Sequence, residues 1–173
     1  MKYVIVSDSH GDRDILVKLV EKYQNEADLI LHCGDSELRS NDELFTKMYV
    51  VMGNCDFDSG FDNERIIKRG PDRMFLTHGH LYGVNFSLDK LDYQMQAESC
   101  QIAFYGHTHQ LYADYGQGRL IVNPGSISQP RGPYAKLGGT YAVLESSKEA
   151  YHVQYYNRQF EPVENLKAVF KRD

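Results

Sequence analysis

The stretch Tyr3-Val4-Ile5-Val6-Ser7-Asp8-Ser9-His10 decides the fold. An unbroken apolar run of this kind, rich in β-branched residues, reads as a strand buried on both faces that ends in a polar loop. Just outside it, Ile15, Leu16, Leu19, Val20 and Tyr23 recur at helical spacing, with Asp12 or Asp14 placed to cap the helix. The strand-then-loop pattern then repeats. Leu29 to Leu31 precedes Gly34-Asp35, and Tyr49 to Met52 precedes Gly53-Asn54-Cys55-Asp56. Met74 to Thr77 precedes His78-Gly79-His80, and Ile102 to Tyr105 precedes Gly106-His107-Thr108-His109. Ligands of α/β sheets collect outside the carboxyl ends of the strands, so these five loops are expected to converge. Leu88, Leu91, Tyr93 and Met95 predict a second helix.

Past Gln110 the pattern changes. Leu111–Tyr115, Arg119–Val122, Thr140–Leu144 and Val153–Tyr156 read as strands joined in antiparallel hairpins. Val163, Leu166, Val169 and Phe170 stand at helical spacing and predict a short docked helix at the tail. The expectation is one domain over residues 1–173, a mixed α/β protein with two packed sheets and helices outside. Repeats, low-complexity tracts and linkers are absent from the sequence.

Composition bounds the function. A net charge of -5 disfavours long nucleic acid, whose phosphates need clustered Lys and Arg. Lys68, Arg69 and Arg73 make only a small basic group, expected on a solvated strand or turn. No apolar run approaches the ~20 residues that cross a bilayer, and the four-residue run near Met1 is too short for a signal peptide. The three cysteines, Cys33, Cys55 and Cys100, form no disulfide framework, which points to a reducing cytoplasm.

The polar residues at the strand ends carry the chemistry. Asp8, His10, Asp35, Asn54, His78, His107 and His109 supply three oxygen donors and four imidazoles. Five of the seven histidines fall in these loops. Such a donor set suits borderline divalent metals such as Mn, Fe, Ni, Co or Zn better than Ca or Mg. Seven ligands exceed one ordinary site but suit two metals sharing a carboxylate. Two cations ~3.5–4 Å apart can clamp a phosphate and hold a hydroxide between them.

Asp8-Ser9-His10, Gly34-Asp35, Gly53-Asn54-Cys55-Asp56, His78-Gly79-His80 and Gly106-His107-Thr108-His109, in that order, resemble the calcineurin-like metallophosphoesterase superfamily. The Gly-Asn-Cys-Asp form and the Asn123-Pro124-Gly125-Ser126 loop followed by Pro130-Arg131 resemble its YfcE-type phosphodiesterase branch. The resemblance implies a four-layer α/β/β/α sandwich, two mixed β-sheets flanked by helices, with the site at one sheet edge. It implies one metal on Asp8, His10, Asp35 and His109, and a second on Asp35, Asn54, His78 and His107, with Asp35 bridging. Mn is the first expectation for both. Many relatives in the wider superfamily carry His where this chain has Cys55, placed to protonate the leaving group.

Cys55, Asp56, His80 and Arg131 are further candidates for contacts to substrate or to the ligands. Asp56 is expected to orient a ligand imidazole or a substrate-side group, or to cap a turn. His80 is read either as a residue beside ligand His78 or as a turn residue, and Ser126 as structural. His32 is expected to be packed, His152 to lie on a strand surface, and Cys33 and Cys100 to be buried. The expected activity is hydrolysis of small soluble phosphodiesters. The alternatives are a phosphomonoesterase, or a protein-interaction scaffold like the retromer subunit of this fold. The oligomeric state is left open.

Overall fold

The computed structural model describes residues 1–172. In chain order the elements are β1 (Lys2–Val6), α1 (Arg13–Tyr23), β2 (Leu29–His32), β3 (Tyr49–Val50), β4 (Glu64–Arg69), β5 (Asp72–Thr77), α2 (Asp89–Ala97), β6 (Ile102–Phe104), β7 (Leu111–Gly116), β8 (Arg119–Pro124), β9 (Thr140–Ser146), β10 (Ala150–Asn157) and β11 (Pro162–Lys171). One sheet has the order β11-β10-β9-β1-β2-β3 and the other β4-β5-β6-β8-β7. Both are mixed. β1, β2 and β3 run parallel, as do β5, β6 and β8, while the remaining neighbours are antiparallel.

β1 shows why its apolar run is continuous. Tyr3 and Ile5 enter the core between the sheets, with Leu31, Met74, Leu76, Phe104 and Val122. Val4 and Val6 face the other way and meet Ile15, Leu16, Leu19, Val20 and Tyr23 of α1. On the far side, Leu91 and Met95 of α2 pack on Phe75, Ala103 and Tyr105. The layers are therefore helix, sheet, sheet and helix, as the resemblance implies. Asp12 is the cap of α1, its side chain accepting from Ile15 N at 3.3 Å.

The tail departs from expectation: residues 162–171 form strand β11 rather than a helix. Val163, Leu166, Ala168 and Phe170 are partly buried, whereas Val169 is 60% exposed. The pairing with β10 shifts register between Gln154 and Tyr156. A β-bulge adds one residue and changes which face the following residues take. It turns a period of two into the spacing of three between Val163 and Leu166, which imitates a helix. Gln154 Nε2 donates to the carbonyls of Tyr155, Val163 and Leu166 and holds the bulge.

Two smaller differences bear on the site. The third strand is only Tyr49–Val50, and Lys68, Arg69 and Arg73 sit on the β4–β5 hairpin. The carboxyl ends of β1, β2, β3, β5 and β6 lie along one edge of the sandwich.

Candidate metal centre

The β1–β2 ladder does not stop where the strands end. Asp8 N donates to Gly34 O at 3.1 Å, and His10 N to Asp35 O at 3.0 Å. Gly106 N reaches His78 O at 3.0 Å and ties the β5 and β6 loops together. Asp8, His10, Asp35, His107 and His109 all hold positive φ, between 44° and 67°. Positive φ is uncommon for non-glycine residues and is held by surrounding structure where it matters functionally. Gly53 and Gly106 are needed for close approach. A Cβ on Gly53 would run into the Asp35 carboxylate, and one on Gly106 into Ser7 Oγ.

The side chains then converge. Asp8 Oδ1 lies 3.2 Å from His109 Nε2 and 4.0 Å from His78 Nε2. It is buried with no hydrogen-bond partner, while Oδ2 accepts from Ser7 Oγ at 2.5 Å and His107 N at 3.2 Å. His10 Nε2 faces His109 Nε2 at 3.3 Å. Asp35 Oδ2 is 3.3 Å from His78 Nε2, and Asn54 Oδ1 is 3.1 Å from the same nitrogen. Three groups of donor atoms lie within 4.8 Å of one another: Asp8–His10–His109, Asp8–Asp35–His78 and His10–Asp35–Cys55. His107 packs its ring 5.1 Å from that of His78.

The opposite ring nitrogens explain the orientation. Nδ1 of His10 meets Glu37 Oε1 at 2.6 Å, that of His78 meets Cys33 O at 2.8 Å, and that of His109 meets Gln129 O at 2.6 Å. An acceptor at Nδ1 selects the tautomer whose Nε2 lone pair points inward, the arrangement typical of metal-ligating histidine. His107 is reversed, with its Nε2 2.8 Å from the Asn85 amide.

Charge follows from this geometry. Burial raises the Asp8 carboxyl, but His109 and His78 outweigh it and hold it below the usual carboxylate range. Burial likewise raises Asp35, but His78 and the Cys55 N–H bring it well below that range. Burial lowers His78 and His109, yet the facing carboxylates leave both raised. His80 and His107 are lowered, by burial first and then by His78. The same carboxylates that raise His78 and His109 would be neutralised by cations at the inward nitrogens. A mixed set of inward Nε2 lone pairs and carboxylate oxygens, one of them orphaned, fits divalent metal.

Other residues fall as follows. Asp56 takes the turn-capping alternative: among the described residues its side-chain hydrogen bonds go to loop donors, with none to an imidazole. It is buried and accepts from Asp35 N and Gly53 N at 2.8 Å, Glu37 N at 2.7 Å and Ser36 Oγ at 3.1 Å. It clamps the β2 and β3 loops together. Cys55 donates its N–H to Asp35 Oδ1 at 2.7 Å, and its Sγ accepts from Asn54 Nδ2 at 3.3 Å, which turns Asn54 Oδ1 toward His78. His80 opens a 3-10 turn, with its ring 5.3 Å from His78 and its Nδ1 buried and unpartnered. Arg131 is exposed, and its backbone N–H donates to His109 O at 3.0 Å. Ser126 Oγ donates to Asp8 O at 2.7 Å. His32 is buried between Ser9 Oγ and Gly34 N, and His152 is exposed on β10.

Glu37 and Asn85, which hold His10 and His107, carry no sequence signal of their own. Glu37 follows Asp35 by two residues at positive φ (54°), a weak clue.

A two-sheet α/β sandwich that gathers Asp and His donors at the ends of its strands is the architecture of the metallophosphoesterases. The calcineurin-like phosphoesterase superfamily domain matches residues 1–149, and the chain belongs to that family. It is 34% identical over 166 residues to the probable metallophosphoesterase YsnB of Bacillus subtilis strain 168, covering 96% of each chain. It is 26% identical over 162 residues to the phosphodiesterase YfcE of Escherichia coli K12, covering 76% of this chain and 82% of that one. A predicted phosphoesterase of Streptococcus pneumoniae TIGR4 has the same structure, with TM-score 0.95, 37% identity and coverage of 99% and 97%. Vps29 of Entamoeba histolytica shares the fold, with TM-score 0.70 at 21% identity over 100% of this chain and 99% of that one.

Proposed function

We propose that the protein is a two-metal phosphodiesterase for small soluble phosphodiesters, working as one domain over residues 1–173 in a reducing cytoplasm. The observation that carries this is the set of inward imidazole nitrogens around the orphaned Asp8 Oδ1. Asp8, His10, Asp35 and His109 would hold one cation. Asp35, Asn54, His78 and His107 would hold the other, His107 through Nδ1 because Asn85 occupies its Nε2. Asp35 is assigned as the bridge from the family resemblance; it groups with both His10 and His78, as Asp8 also does. Mn is the first choice of metal, with Ni, Co, Zn and Fe also suited to the donors.

When bound, the pair supplies Lewis acidity and an activated water for in-line attack on phosphorus. The chain's residues prepare for this. Asp8 and Asp35 stay ionised, and Glu37, Cys33 O and Gln129 O hold the Nδ1 protons away from the site. The Cys55 thiol, pushed up to about 11 by burial and then by Asp35, is neither a thiolate nucleophile nor an efficient acid near neutral pH. Esters whose leaving group departs without a proton are therefore favoured, so activated diesters should exceed alkyl monoesters.

The test is a metal-by-substrate panel on protein stripped by chelation. Activity should vanish and return with Mn, Ni or Co at up to two ions per chain, faster on bis(aryl) diesters than on aryl monoesters. Full turnover with no detectable metal would refute this function. The scaffold role known for the fold keeps one discriminator, since a scaffold would show no metal-dependent turnover.

A further inference from the structure

Beside Cys55 opens a cavity of ≈ 570 Å³, lined by Glu37, Arg39, Cys55, Phe57 and Asp58 among others. It adjoins the metal centre at two points. Glu37 bonds His10 at 2.6 Å, and Cys55 Sγ lies within 4.8 Å of donor atoms of His10 and Asp35. Its volume suits one organic group of a small substrate.

Phe57 in this cavity is 94% exposed. A large aromatic ring held in water at the mouth of a polar site has no folding rationale, since burying it would be favourable. The acidic residues of the lining are already engaged. Glu37 holds His10, while Asp58 accepts from Ser40 N at 2.8 Å and Gly60 N at 2.9 Å. Arg39 is exposed, and its side chain bears on Asp58 only through charge, with no side-chain hydrogen bond or ion pair among the described residues. With two carboxylates against one guanidinium, the lining repels a second phosphate. An uncharged planar group suits it better, since the lining offers an aromatic ring and a guanidinium, both of which stack on such groups.

We propose that the Phe57–Arg39 cavity is the substrate subsite for an aromatic ester group, so the natural phosphodiester carries a planar ring on the Cys55 side of phosphorus. This rests on the phosphodiesterase reading and names the substrate class within it.

The test uses Mn-loaded full-length protein and two probes, phenylphosphonate and methylphosphonate, titrated by calorimetry. Both present the same anionic head, so their affinity ratio reports the ring alone. The wild type should prefer phenylphosphonate by about tenfold, the scale of one aromatic stacking contact. Phe57→Ala should bring the ratio to near unity, Phe57→Tyr should keep it, and Arg39→Ala should lower it by about threefold. Tyr93→Ala, which removes a 70% exposed aromatic from the outer face of α2, should leave the ratio unchanged.

Equal affinities in the wild type, or a preference that survives Phe57→Ala, overturns the subsite. So does light scattering that shows a dimer dissociated by Phe57→Ala, since Phe57 would then serve a second copy of the chain. Calorimetry needs no turnover, which separates the two claims. A retained ring preference without diester hydrolysis refutes the activity and supports the pocket. Diester hydrolysis with a ratio blind to Phe57 refutes the pocket alone. No binding of either phosphonate refutes both.

Discussion

Asp56→Asn keeps the shape of the side chain that joins the β2 and β3 loops and changes one oxygen to an NH2 group. On the Oδ2 side that group would oppose the N–H groups of Asp35 and Gly53. On the Oδ1 side it would oppose only Glu37 N, because the Ser36 hydroxyl can turn and accept. The second orientation is cheaper, and it still leaves the Glu37 N–H without an acceptor, costing about 1–3 kcal/mol. The two bonds that remain to Asp35 N and Gly53 N lose their charge assistance, roughly 0.5–1 kcal/mol each. The expected destabilisation is about 2–5 kcal/mol, read as a lower urea midpoint at unchanged slope in metal-free protein. Because the same carboxylate positions Asp35 and Glu37, metal affinity should also weaken by ~10–100-fold. A midpoint shift worth under about 0.5 kcal/mol with unaltered metal binding would show that the clamp does not organise the site.

Asp35→Asn should reduce both metal occupancies and lower turnover by at least ~10–100-fold with circular dichroism unchanged, whereas Asp8→Asn should affect one occupancy; the reverse result would make Asp8 the bridge. Burial holds the His32 imidazole down at about 4, so the folded state keeps it neutral while the unfolded chain takes up a proton below about 6.5. Its contribution is therefore intact above about pH 6.5 and falls by about 3 kcal/mol as pH drops toward 4, so His32→Gln should flatten the stability–pH curve over that window, and parallel curves would refute it. His152→Ala, on the exposed face of β10, should keep the full metal content of the wild type, and loss of an ion would put a ligand where none is assigned. Cys55→Ser should retain aryl-diester turnover, and Cys55→His should raise alkyl relative to aryl turnover, by up to ~10²–10⁴-fold; loss of all activity in Cys55→Ser with both metals bound would revive a thiolate mechanism.

The strands that position the site were readable because β1, β2, β5 and β6 are covered on both faces, so their apolar runs carry no gaps. The loops were readable because they break those runs with Asp, Asn and His. What sequence could not give lies in contacts made at a distance. Glu37, Asn85, Cys33 O and Gln129 O are 20 to 45 residues in sequence from the imidazoles they hold, and two of the four are backbone atoms of no particular residue type. Asp56 was visible as an acid in a turn, but its four donors come mainly from the neighbouring loop, which only the fold brings near. The tail was misread because a bulge in β11 pairing mimics helical spacing, and its inward faces are only half-buried, so periodicity there had little burial behind it.

The same distant contacts bear on whether the chain is built to catalyse or only to bind partners. A scaffold needs the fold but has no use for three imidazoles each fixed at Nδ1 by its own acceptor. Nor does it need five residues held at positive φ around one buried carboxylate oxygen that has no hydrogen bond. Left without a cation, that arrangement buries the Asp8 and Asp35 carboxylates against the His78 and His109 imidazoles, whose proton affinity they raise, and burial works against every charge placed there. Buried charge of this kind is weak support for stability and is retained where it serves another end. Because the orientation of each ring is fixed before any ion arrives, little ordering remains to oppose metal binding. The strain and the orphaned oxygen are thus accounted for by one arrangement, a preorganised metal site, and by nothing that the packing of the two sheets requires.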